Sequence, residues 1–248
     1  MRVRQIDNVL DLFEAFAREK TPMTLTAISN ALGIPKSSAF NIIETLLERG
    51  YLYETQPRRG YYPTARLFEQ SSSIGDGDPL VTRLHPELVA LADKSGETAL
   101  LAARERNEVV YLDVVEAASL IRYFARIGQR RALHVTSSGK AILATYEEKE
   151  RQRLFEDLSE AHAGTPTPVD LDALTGDVEA CVARGWSEDW GQTTADVMGI
   201  GVPIRTNRWR LGLALAGPIY RMRDRRDTLV AQLVETRARV MELIGGVS

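Results

Sequence analysis

The stretch that most constrains the architecture of this chain is residues 24–50, which read TLTAISNALGIPKSSAFNIIETLLERG. Apolar residues recur at three- and four-residue spacing on both sides of Gly33, which is the pattern of two amphipathic helices. Thr24 or Thr26 can cap the first of these helices, and Gly33 suits the left-handed residue that ends it. Pro35 stands where a second helix can begin. The sequence therefore predicts two short helices joined by a tight turn.

The flanking segments extend this pair to a winged helix-turn-helix. A preceding helix is predicted at about residues 5–19, because apolar residues there also recur at helical spacing. Its apolar stripe comprises Ile6, Val9, Leu10, Phe13, Phe16 and Ala17. After the second short helix, β-prone tyrosines at 51, 53, 61 and 62 surround a turn at residues 57–60 that contains two arginines. This order of elements is typical of proteins that place one helix in the major groove of DNA.

The second short helix, residues 36–49, is predicted to have a DNA-reading face. Its apolar positions face the core, and these are Ala39, Ile42, Ile43, Leu46 and Leu47. On the other face, Asn41 can bridge N6 and N7 of adenine, and Phe40 can contact a thymine methyl, which favours an A·T-leaning half-site. Phosphate is favoured at the first turn, where free N–H groups and the helix dipole point at it. The residues predicted to contact DNA are Thr24, Lys36, Ser37, Ser38, Phe40, Asn41, Arg58 and Arg59.

Several of these assignments have simpler alternatives. Phe40 could belong to the core with Ser37 as a cap, and the two arginines of the turn could be merely solvated. Glu44 would repel phosphate, so it either accepts a hydrogen bond from cytosine or faces away. The formal net charge of −3 also argues weakly against DNA binding. Basic residues nevertheless outnumber acidic ones between Gly33 and Arg66.

Composition indicates a soluble globular protein with more than one domain. The chain has 248 residues, of which 44% are hydrophobic and 26% charged. No apolar run approaches the roughly 20 residues that span a bilayer, so no membrane partner is expected. A single cysteine, Cys181, rules out an intrachain disulfide and fits a reducing cytoplasm. We therefore expect a cytoplasmic protein.

A linker divides the chain. Residues 71–79, SSSIGDGDP, are rich in flexible and helix-breaking residues, which predicts domains at 1–66 and 80–248 with a linker at 67–79. The second domain alternates strand-like and helical segments and ends in a long helix, so we expect an α+β fold. Its predicted strands are 98–104, 109–115, 120–125, 186–189, 199–205 and 210–216. Its predicted helices are 80–95, 139–144, 147–157, 170–184 and 224–244.

Spaced motifs along nearly the whole chain point to one family. In order they are IPKSS (34–38), LLERGY (46–51), GYYPT (60–64), GET (96–98), VVYLD (109–113), GQRR (128–131), HVTSSGKAILA (134–144), GWSED (185–189), GVPI (201–204) and LALAGP (213–218). With these motifs the chain resembles the IclR family of bacterial transcriptional regulators. The resemblance implies a winged helix-turn-helix joined by a linker helix to an effector-binding domain similar to GAF or PAS sensors. It also implies an operator of double-stranded DNA, an organic-acid effector, no cofactor, and a homodimer or homotetramer.

The resemblance also implies where the effector binds. Backbone N–H groups at the start of the GKA helix would meet a small anion, as helix N-termini do. The implied pocket residues are Leu120, Tyr123, Arg131, Ser137, Ser138, Gly139, Asp189, Val197, Gly199, Ala214 and Ala216.

This chain departs from the family's usual residues at several of these positions. Ala214 and Ala216 replace serines, Gly199 replaces a frequent cysteine, and Arg131 replaces an apolar residue. Loss of hydroxyls and gain of volume favour a larger acid with a flat apolar body, such as an aromatic acid. Arg131 would bind its carboxylate through two parallel hydrogen bonds, or would be a surface arginine beside Arg130.

Other functional classes receive little support. His134, Ser137 or Ser138, and Asp189 supply the residue types of a hydrolytic triad, but Gly-x-Ser-x-Gly is absent. His85, His134 and His162 lie far apart in sequence and predict no metal site. The remaining alternative is a small-molecule sensor whose winged helix contacts proteins rather than a specific DNA site. Asn41 favours this alternative slightly, because the family often has arginine at that position.

Overall fold

The chain forms two compact units, Met1–Asp78 and Pro79–Ser248. This structure is a computed structural model, and it describes residues 3–56 and 60–245. None of the helices in these ranges is both long and apolar enough to cross a membrane.

The N-terminal unit has the order of elements expected of a winged helix-turn-helix. Its elements are α1 (Arg4–Glu19), α2 (Leu25–Leu32), α3 (Lys36–Glu48), β1 (Leu52–Gln56), β2 (Gly60–Pro63) and α4 (Arg66–Asp76). Thr24 caps α2, because its Oγ1 accepts a hydrogen bond from the Ala27 N–H at 3.2 Å. Gly33 ends α2 with φ at 62°, a backbone conformation that glycine adopts without strain. The local signals at these boundaries therefore predicted the helices to within a residue or two.

The buried face of α1 overlaps the predicted apolar stripe only in part. Leu12, Ala15 and Phe16 are buried in the core, whereas Ile6 is 60% exposed and Leu10 is 56% exposed. Val9 and Phe13 of the predicted stripe are partly buried and pack against this core, so the buried face is shifted around the helix toward Leu12 and Ala15. The predicted stripe therefore meets the core only in part, and Ile6 and Leu10 lie outside it.

The segment after the hairpin is more helical than its composition suggests. Residues 71–79 were predicted to be flexible and helix-breaking, but α4 continues through the three serines at 71–73 to Asp76. Gly77, which follows the helix, is its C-cap. Phe68 and Ile74 on this helix are 75% and 76% exposed, so it presents apolar side chains to solvent.

The second unit is an α+β domain built on one six-stranded sheet. Its helices are α5 (Pro79–Ser95), α6 (Ser137–Leu143), α7 (Glu148–Ala161), α8 (Leu171–Arg184), α9 (Ile219–Met222) and α10 (Arg226–Gly245), with a 3₁₀ turn at Arg223–Arg225. Its strands are β3 (Thr98–Glu105), β4 (Glu108–Val115), β5 (Arg130–Ala132), β6 (Ser187–Trp190), β7 (Val197–Arg205) and β8 (Arg210–Pro218). The strand order is β5-β4-β3-β8-β7-β6, and every neighbouring pair is antiparallel.

Helices cover both faces of this sheet. One core packs α5 and α10 against one face, with Leu88, Leu213 and Leu233 fully buried. The other core packs α6, α7 and α8 against the opposite face, with Val109, Leu133 and Ile142 fully buried. The second face carries a small pocket beside α6.

One predicted strand is wrong. Residues 120–125 form no strand but part of a loop, and the edge of the sheet is instead β5, which pairs with β4 through Val109 and Arg131. Leu120 is 98% exposed and Phe124 is 55% exposed, whereas Tyr123 between them turns inward. The residues of this segment are β-prone, but its backbone pairs with no strand, which local propensity alone cannot anticipate.

Candidate DNA interface and effector pocket

The outer face of α3 is polar and accessible. Ala39, Ile43 and Leu46 are buried against the core of the N-terminal unit. Phe40 is 45% exposed, so the alternative in which this ring belongs to the core is wrong. Ser37, Ser38, Asn41 and Glu44 are also exposed. The side chains predicted to meet base edges therefore lie on one open face of a helix.

The first turn of α3 keeps its donors available. Its N-cap is Pro35, and no side chain in the described ranges accepts a hydrogen bond from the first turn as a cap. Ser37 is therefore not the cap that the simpler alternative supposed. Lys36 is exposed at the same turn. A positive side chain beside free backbone N–H groups is favourable for a phosphate.

The hairpin lies close to the start of α2. The N–H of Tyr61 donates to the Met23 carbonyl at 2.9 Å, and the N–H of Met23 donates to the Tyr61 carbonyl at 3.0 Å. The rings of Phe16 and Tyr62 meet edge-on, with centroids 5.9 Å apart. Arg58 and Arg59, the arginines predicted to reach DNA, lie outside the described residues.

A small pocket lies on the α6 face of the sheet in the second unit. It is lined by Leu100, Tyr111, Tyr123, Thr136, Ser137, Ser138, Asp189, Thr193, Val197, Gly199 and Ala216. Its volume is about 20 Å³. A space of this size holds about one water molecule. Of the predicted effector residues, Tyr123, Ser137, Ser138, Asp189, Val197, Gly199 and Ala216 meet here.

The start of α6 forms one wall. Thr136 caps the helix, since its Oγ1 accepts a hydrogen bond from the Gly139 N–H at 3.0 Å. That N–H is therefore already engaged and does not serve as the effector donor that was predicted. The Ser137 carbonyl accepts a hydrogen bond from Ser187 Oγ at 2.6 Å, which ties the helix to β6.

Gly199 does not enlarge the pocket, contrary to the prediction from its sequence. A Cβ at this position would lie 2.6 Å from Ser137 Oγ and 3.3 Å from Ser137 Cβ. The hydroxymethyl group of Ser137 thus fills the space that a larger residue on β7 would take. The two positions compensate each other in volume.

Asp189 is the acidic group of the pocket and is 5% exposed. Its Oδ1 accepts a hydrogen bond from the Gln192 N–H at 2.7 Å, and its Oδ2 accepts one from Thr193 Oγ1 at 2.7 Å. Burial raises the pKa of this carboxyl, while the hydrogen bonds from Thr193 and Gln192 and the charge of Lys140 act in the opposite direction. The carboxylate is thus held by the turn that follows β6.

Two tyrosines form the opposite end. Their hydroxyl oxygens, on Tyr111 and Tyr123, lie 3.5 Å apart, and the Tyr123 carbonyl accepts a hydrogen bond from Thr98 Oγ1 at 2.7 Å. Burial raises the pKa of Tyr111, the neighbouring Tyr123 raises it further, and Arg131 lowers it. Sequence reasoning missed Tyr111, although it alternates with buried Val109 on the same strand.

Arg131 borders this tyrosine end rather than the pocket wall. Its neighbour Arg130 points to solvent and pairs with Glu105 at 2.7 Å and Glu108 at 3.2 Å. Successive side chains of a strand alternate, so Arg131 faces the other way. Arg131 is partly buried, and its Nε is buried without a hydrogen-bond partner in the described part of the chain. It is not the solvated loop arginine of the alternative interpretation.

Three other predicted positions do not line the pocket. Leu120 points into solvent because the loop that bears it turns Tyr123 inward instead. Ala214 is 1% exposed and lies beneath the wall, in the core between the sheet and α6. Gly139 packs against the chain before the helix, where a Cβ would lie 2.0 Å from the Leu133 carbonyl oxygen. Leu100, Thr136 and Thr193 line the pocket without having been predicted.

The candidate hydrolytic histidine has a different neighbour. The ring of His134 meets that of His162 edge-on, with centroids 4.5 Å apart. Burial lowers the pKa of His134 to about 4, and His162 and Lys140 contribute in the same direction. Within residues 3–56 and 60–245, no group of three or more histidine, cysteine, aspartate or glutamate side chains is arranged to hold a metal ion.

Comparison with known proteins agrees with both units. Residues 5–56 match the model of the IclR helix-turn-helix domain, and residues 75–242 match that of the bacterial transcriptional regulator IclR C-terminal domain. The HTH-type transcriptional regulator BhcR of Paracoccus denitrificans is 28% identical over 239 residues, covering 96% of this chain and 85% of that protein.

Solved structures share the fold. An IclR family transcriptional regulator from Brucella abortus superposes with a TM-score of 0.76 at 21% identity, over 98% of this chain and 93% of that one. An IclR homolog from Microbacterium hydrocarbonoxydans, solved with 4-hydroxybenzoate, gives 0.73 at 22% identity, over 97% and 98%. The two domain models together match most of the chain and describe regulators rather than enzymes. The protein thus belongs to the IclR family of bacterial transcriptional regulators, with an N-terminal DNA-binding helix-turn-helix and a C-terminal effector domain.

Proposed function

We propose that this regulator reads an operator through the outer face of α3 and responds to a small carboxylate bound in the pocket beside α6. The observation that carries the DNA half of the proposal is the exposure of Phe40 and Asn41 on one face of α3. The effector half is carried by the cluster of polar side chains, including Ser137 and Asp189, that converges on one buried pocket.

We propose that different side chains of the N-terminal unit contact bases and phosphates. Asn41 bridges an adenine edge and Phe40 contacts a thymine methyl, which gives sequence preference. Lys36, Ser37 and Ser38 bind phosphate and fix the register of the helix. We propose further contacts to the DNA backbone or minor groove from Arg58, from Arg59 and from Thr24 at the start of α2.

The proposed effector is an organic acid, and an aromatic acid is the preferred candidate. Ser137 and Ser138 offer hydroxyls and backbone N–H groups as donors, and Ala216 provides an apolar wall. Among the described residues, the Nε of Arg131 is buried next to the tyrosine end with no hydrogen-bond partner, which suits this guanidinium to a carboxylate. The likeness to a homolog solved with 4-hydroxybenzoate agrees with this choice.

An aromatic ring requires the pocket to open. A space of about 20 Å³ is smaller than any benzoate, so binding must displace part of the wall. The loop of residues 116–129 is the natural candidate, because it carries Tyr123 inward and has no strand of its own. Movement of this loop would also free Tyr111 to face the ligand.

Regulation requires two conformations with unequal affinity for the effector and for DNA. We propose that α4 and the segment after it transmit the change between the units. Two half-sites about one helical turn apart call for a homodimer, or a homotetramer built from two. The exposed apolar side chains Ile6, Leu10, Phe68 and Ile74 of the N-terminal unit are available for such pairing. A DNA-bound regulator of this kind would act in the cytoplasm.

A gel shift with the DNA upstream of the gene tests the first half. We expect the wild type to bind, and both Lys36→Ala and the double replacement of Arg58 and Arg59 by alanine to bind more weakly. Arg18→Ala, at the far end of α1, is the control for a lost charge. If upstream DNA fails to bind while a protein partner is retained by the N-terminal unit, the alternative of a protein-contacting winged helix replaces this one.

Isothermal titration tests the second half. The ligands are glyoxylate, pyruvate and a set of substituted benzoates. Binding of benzoates would support an aromatic acid as the effector. Binding of only glyoxylate and pyruvate would contradict that hypothesis.

A further inference from the structure

Lys140 is a buried cation on α6 that contacts three different elements. Its side chain is 2% exposed, and Nζ lies 2.5 Å from Asp177 Oδ2 on α8. Nζ also donates to the Glu188 carbonyl on β6 at 3.1 Å and to Gln192 Oε1 in the turn after β6. An ammonium has three donors and is costly to bury unless each finds an acceptor. The three acceptors therefore fix the position of the Lys140 side chain. In turn, Lys140 ties α8, β6 and the turn after β6 to α6.

The turn that Lys140 contacts also orients the acidic group of the pocket. The backbone N–H of Gln192 and the hydroxyl of Thr193 each donate to one oxygen of Asp189, both at 2.7 Å. Asp189 and Thr193 line the pocket, whereas Lys140 does not. One residue, Gln192, thus joins the buried ammonium through its side chain to the pocket carboxylate through its backbone.

We infer that Lys140 is a positioning residue for the effector pocket: it fixes the turn of residues 189–193 and thereby the direction of the Asp189 carboxylate, without touching the ligand. This inference rests on the proposed function of the pocket. Asp177, at 43% side-chain exposure, serves mainly to neutralise the ammonium and to hold α8. A role limited to joining α6 and α8 would make Lys140 and Asp177 equivalent under mutation, and the inference predicts that they differ.

The carboxyl of Asp189 provides a local readout of this role. Its pKa is raised by burial and lowered by Thr193, by Gln192 and by the charge of Lys140. Among titratable groups, Tyr111 also interacts with it across the pocket. Lys140→Met removes the positive charge and the tie to Gln192, so the pKa of Asp189 should rise further. Asp177→Asn keeps both, so the pKa should stay near that of the wild type.

The test is a carbon-13 NMR titration of Asp189 in the full chain, for the wild type, Lys140→Met and Asp177→Asn. Methionine matches lysine in length, and Asp177 can be hydrated once unpaired, so the first variant should fold. We expect the pKa of Asp189 to rise in Lys140→Met and to stay unchanged in Asp177→Asn. Equal shifts in both variants, or no shift in either, would overturn the inference. The unfolding temperature should be lower than that of the wild type in both variants. A rise in the pKa of Asp189 in Lys140→Met alone would therefore not be a consequence of lost stability.

A third variant, Gln192→Leu, tests the same link without removing the buried ammonium. Gln192 is exposed, so Gln192→Leu removes only its tie to Lys140. We expect the backbone N–H of residue 192 to exchange with solvent deuterium faster than in the wild type. Unchanged exchange would contradict the link between the ammonium and the turn.

Ligand binding separates this inference from the function on which it rests. With 4-hydroxybenzoate and glyoxylate as probes, Lys140→Met should lose roughly tenfold in affinity for whichever probe binds the wild type. Asp177→Asn should lose much less. If neither probe binds the wild type but the Asp189 shift occurs, the effector assignment is contradicted and the positioning role stands.

Discussion

Arg221 donates two hydrogen bonds to the carboxylate of Glu97, from Nε at 2.6 Å and from Nη2 at 2.7 Å. Glu97 is fully buried just before β3, and Arg221 lies in α9 just after β8. A third donor of the same guanidinium reaches the Ile121 carbonyl at 3.0 Å. This pair thus joins the two central strands of the sheet to the loop that carries Tyr123 into the pocket.

Glu97→Ala should destabilise the second unit strongly. The change leaves the Arg221 guanidinium, whose side chain is 23% exposed, without the fully buried carboxylate of Glu97, and losing hydrogen bonds of this charged kind typically costs about 1.5–3 kcal/mol. Urea denaturation of the full chain, followed by far-UV circular dichroism, measures the loss. Lys94→Ala is the matched control, because its ion pair with Glu235 at 2.7 Å is half-exposed and should matter little. Similar decreases in the free energy of unfolding in both variants would contradict a larger stabilising role for the Glu97–Arg221 pair.

Gly199 and Ser137 should behave as a compensating pair. Gly199→Ala places a Cβ 2.6 Å from Ser137 Oγ, and such overpacking typically costs about 1–3 kcal/mol. Ser137→Ala removes that oxygen, so the double variant should recover most of the loss. Thermal unfolding of the four proteins gives the interaction energy. Additive effects of the two changes would contradict a shared space.

Local patterns predicted much of the fold but not which apolar face is buried. The cap at Thr24, the turn at Gly33 and the face of α3 depend on residues close in sequence, and the structure places them as expected. The apolar stripe of α1 meets the core only in part, because periodicity does not tell how far around the helix the rest of the unit packs. The strand prediction for residues 120–125 was wrong because a strand needs a pairing partner, and only the whole sheet determines which segments pair.

The pocket was predictable only where the family resemblance supplied its residues. Ser137 and Ser138 were found from the sequence, whereas Leu100 and Tyr111 were not, because their place depends on the register across several strands. The opposite effects of Gly199 and Ser137 on volume were also hidden, since the two lie far apart in sequence and meet only in the fold.

Lys36→Ala and Asn41→Ala should weaken DNA binding in different ways. Loss of a phosphate contact at Lys36 should lower affinity for all sequences alike and reduce the slope of log K against log salt by about 1. Loss of the Asn41 contact should instead cost about 1–3 kcal/mol on the preferred operator and relax the preference for A·T at one position. Fluorescence anisotropy with operator and substituted duplexes at several salt concentrations distinguishes the two. Uniform weakening by Asn41→Ala would contradict base recognition by this residue.

The buried His134 should make the second unit less stable as pH falls. Its pKa of about 4 in the folded state lies below the value of about 6.5 expected when the chain unfolds. Between these values the unfolded chain binds a proton that the folded chain does not, so stability decreases as pH falls from 6.5 towards 4. The full effect is on the order of 3 kcal/mol. Thermal unfolding at stepped pH should show a shallower decline in His134→Asn, and an identical decline in both proteins would contradict this role.

Arg131→Met should weaken binding of aromatic acids selectively. If its buried Nε and the rest of the guanidinium bind a carboxylate, their removal should cost roughly 1.5–3 kcal/mol, or about tenfold to a hundredfold in Kd. Benzamide, which has the same ring without the charge, should bind wild type and variant with similar affinity. Arg130→Met is the matched control one residue away, because that guanidinium faces Glu105 and Glu108 at the surface. Equal losses in the two arginine variants would place the carboxylate elsewhere in the pocket, with Ser137 and Ser138 as the remaining donors.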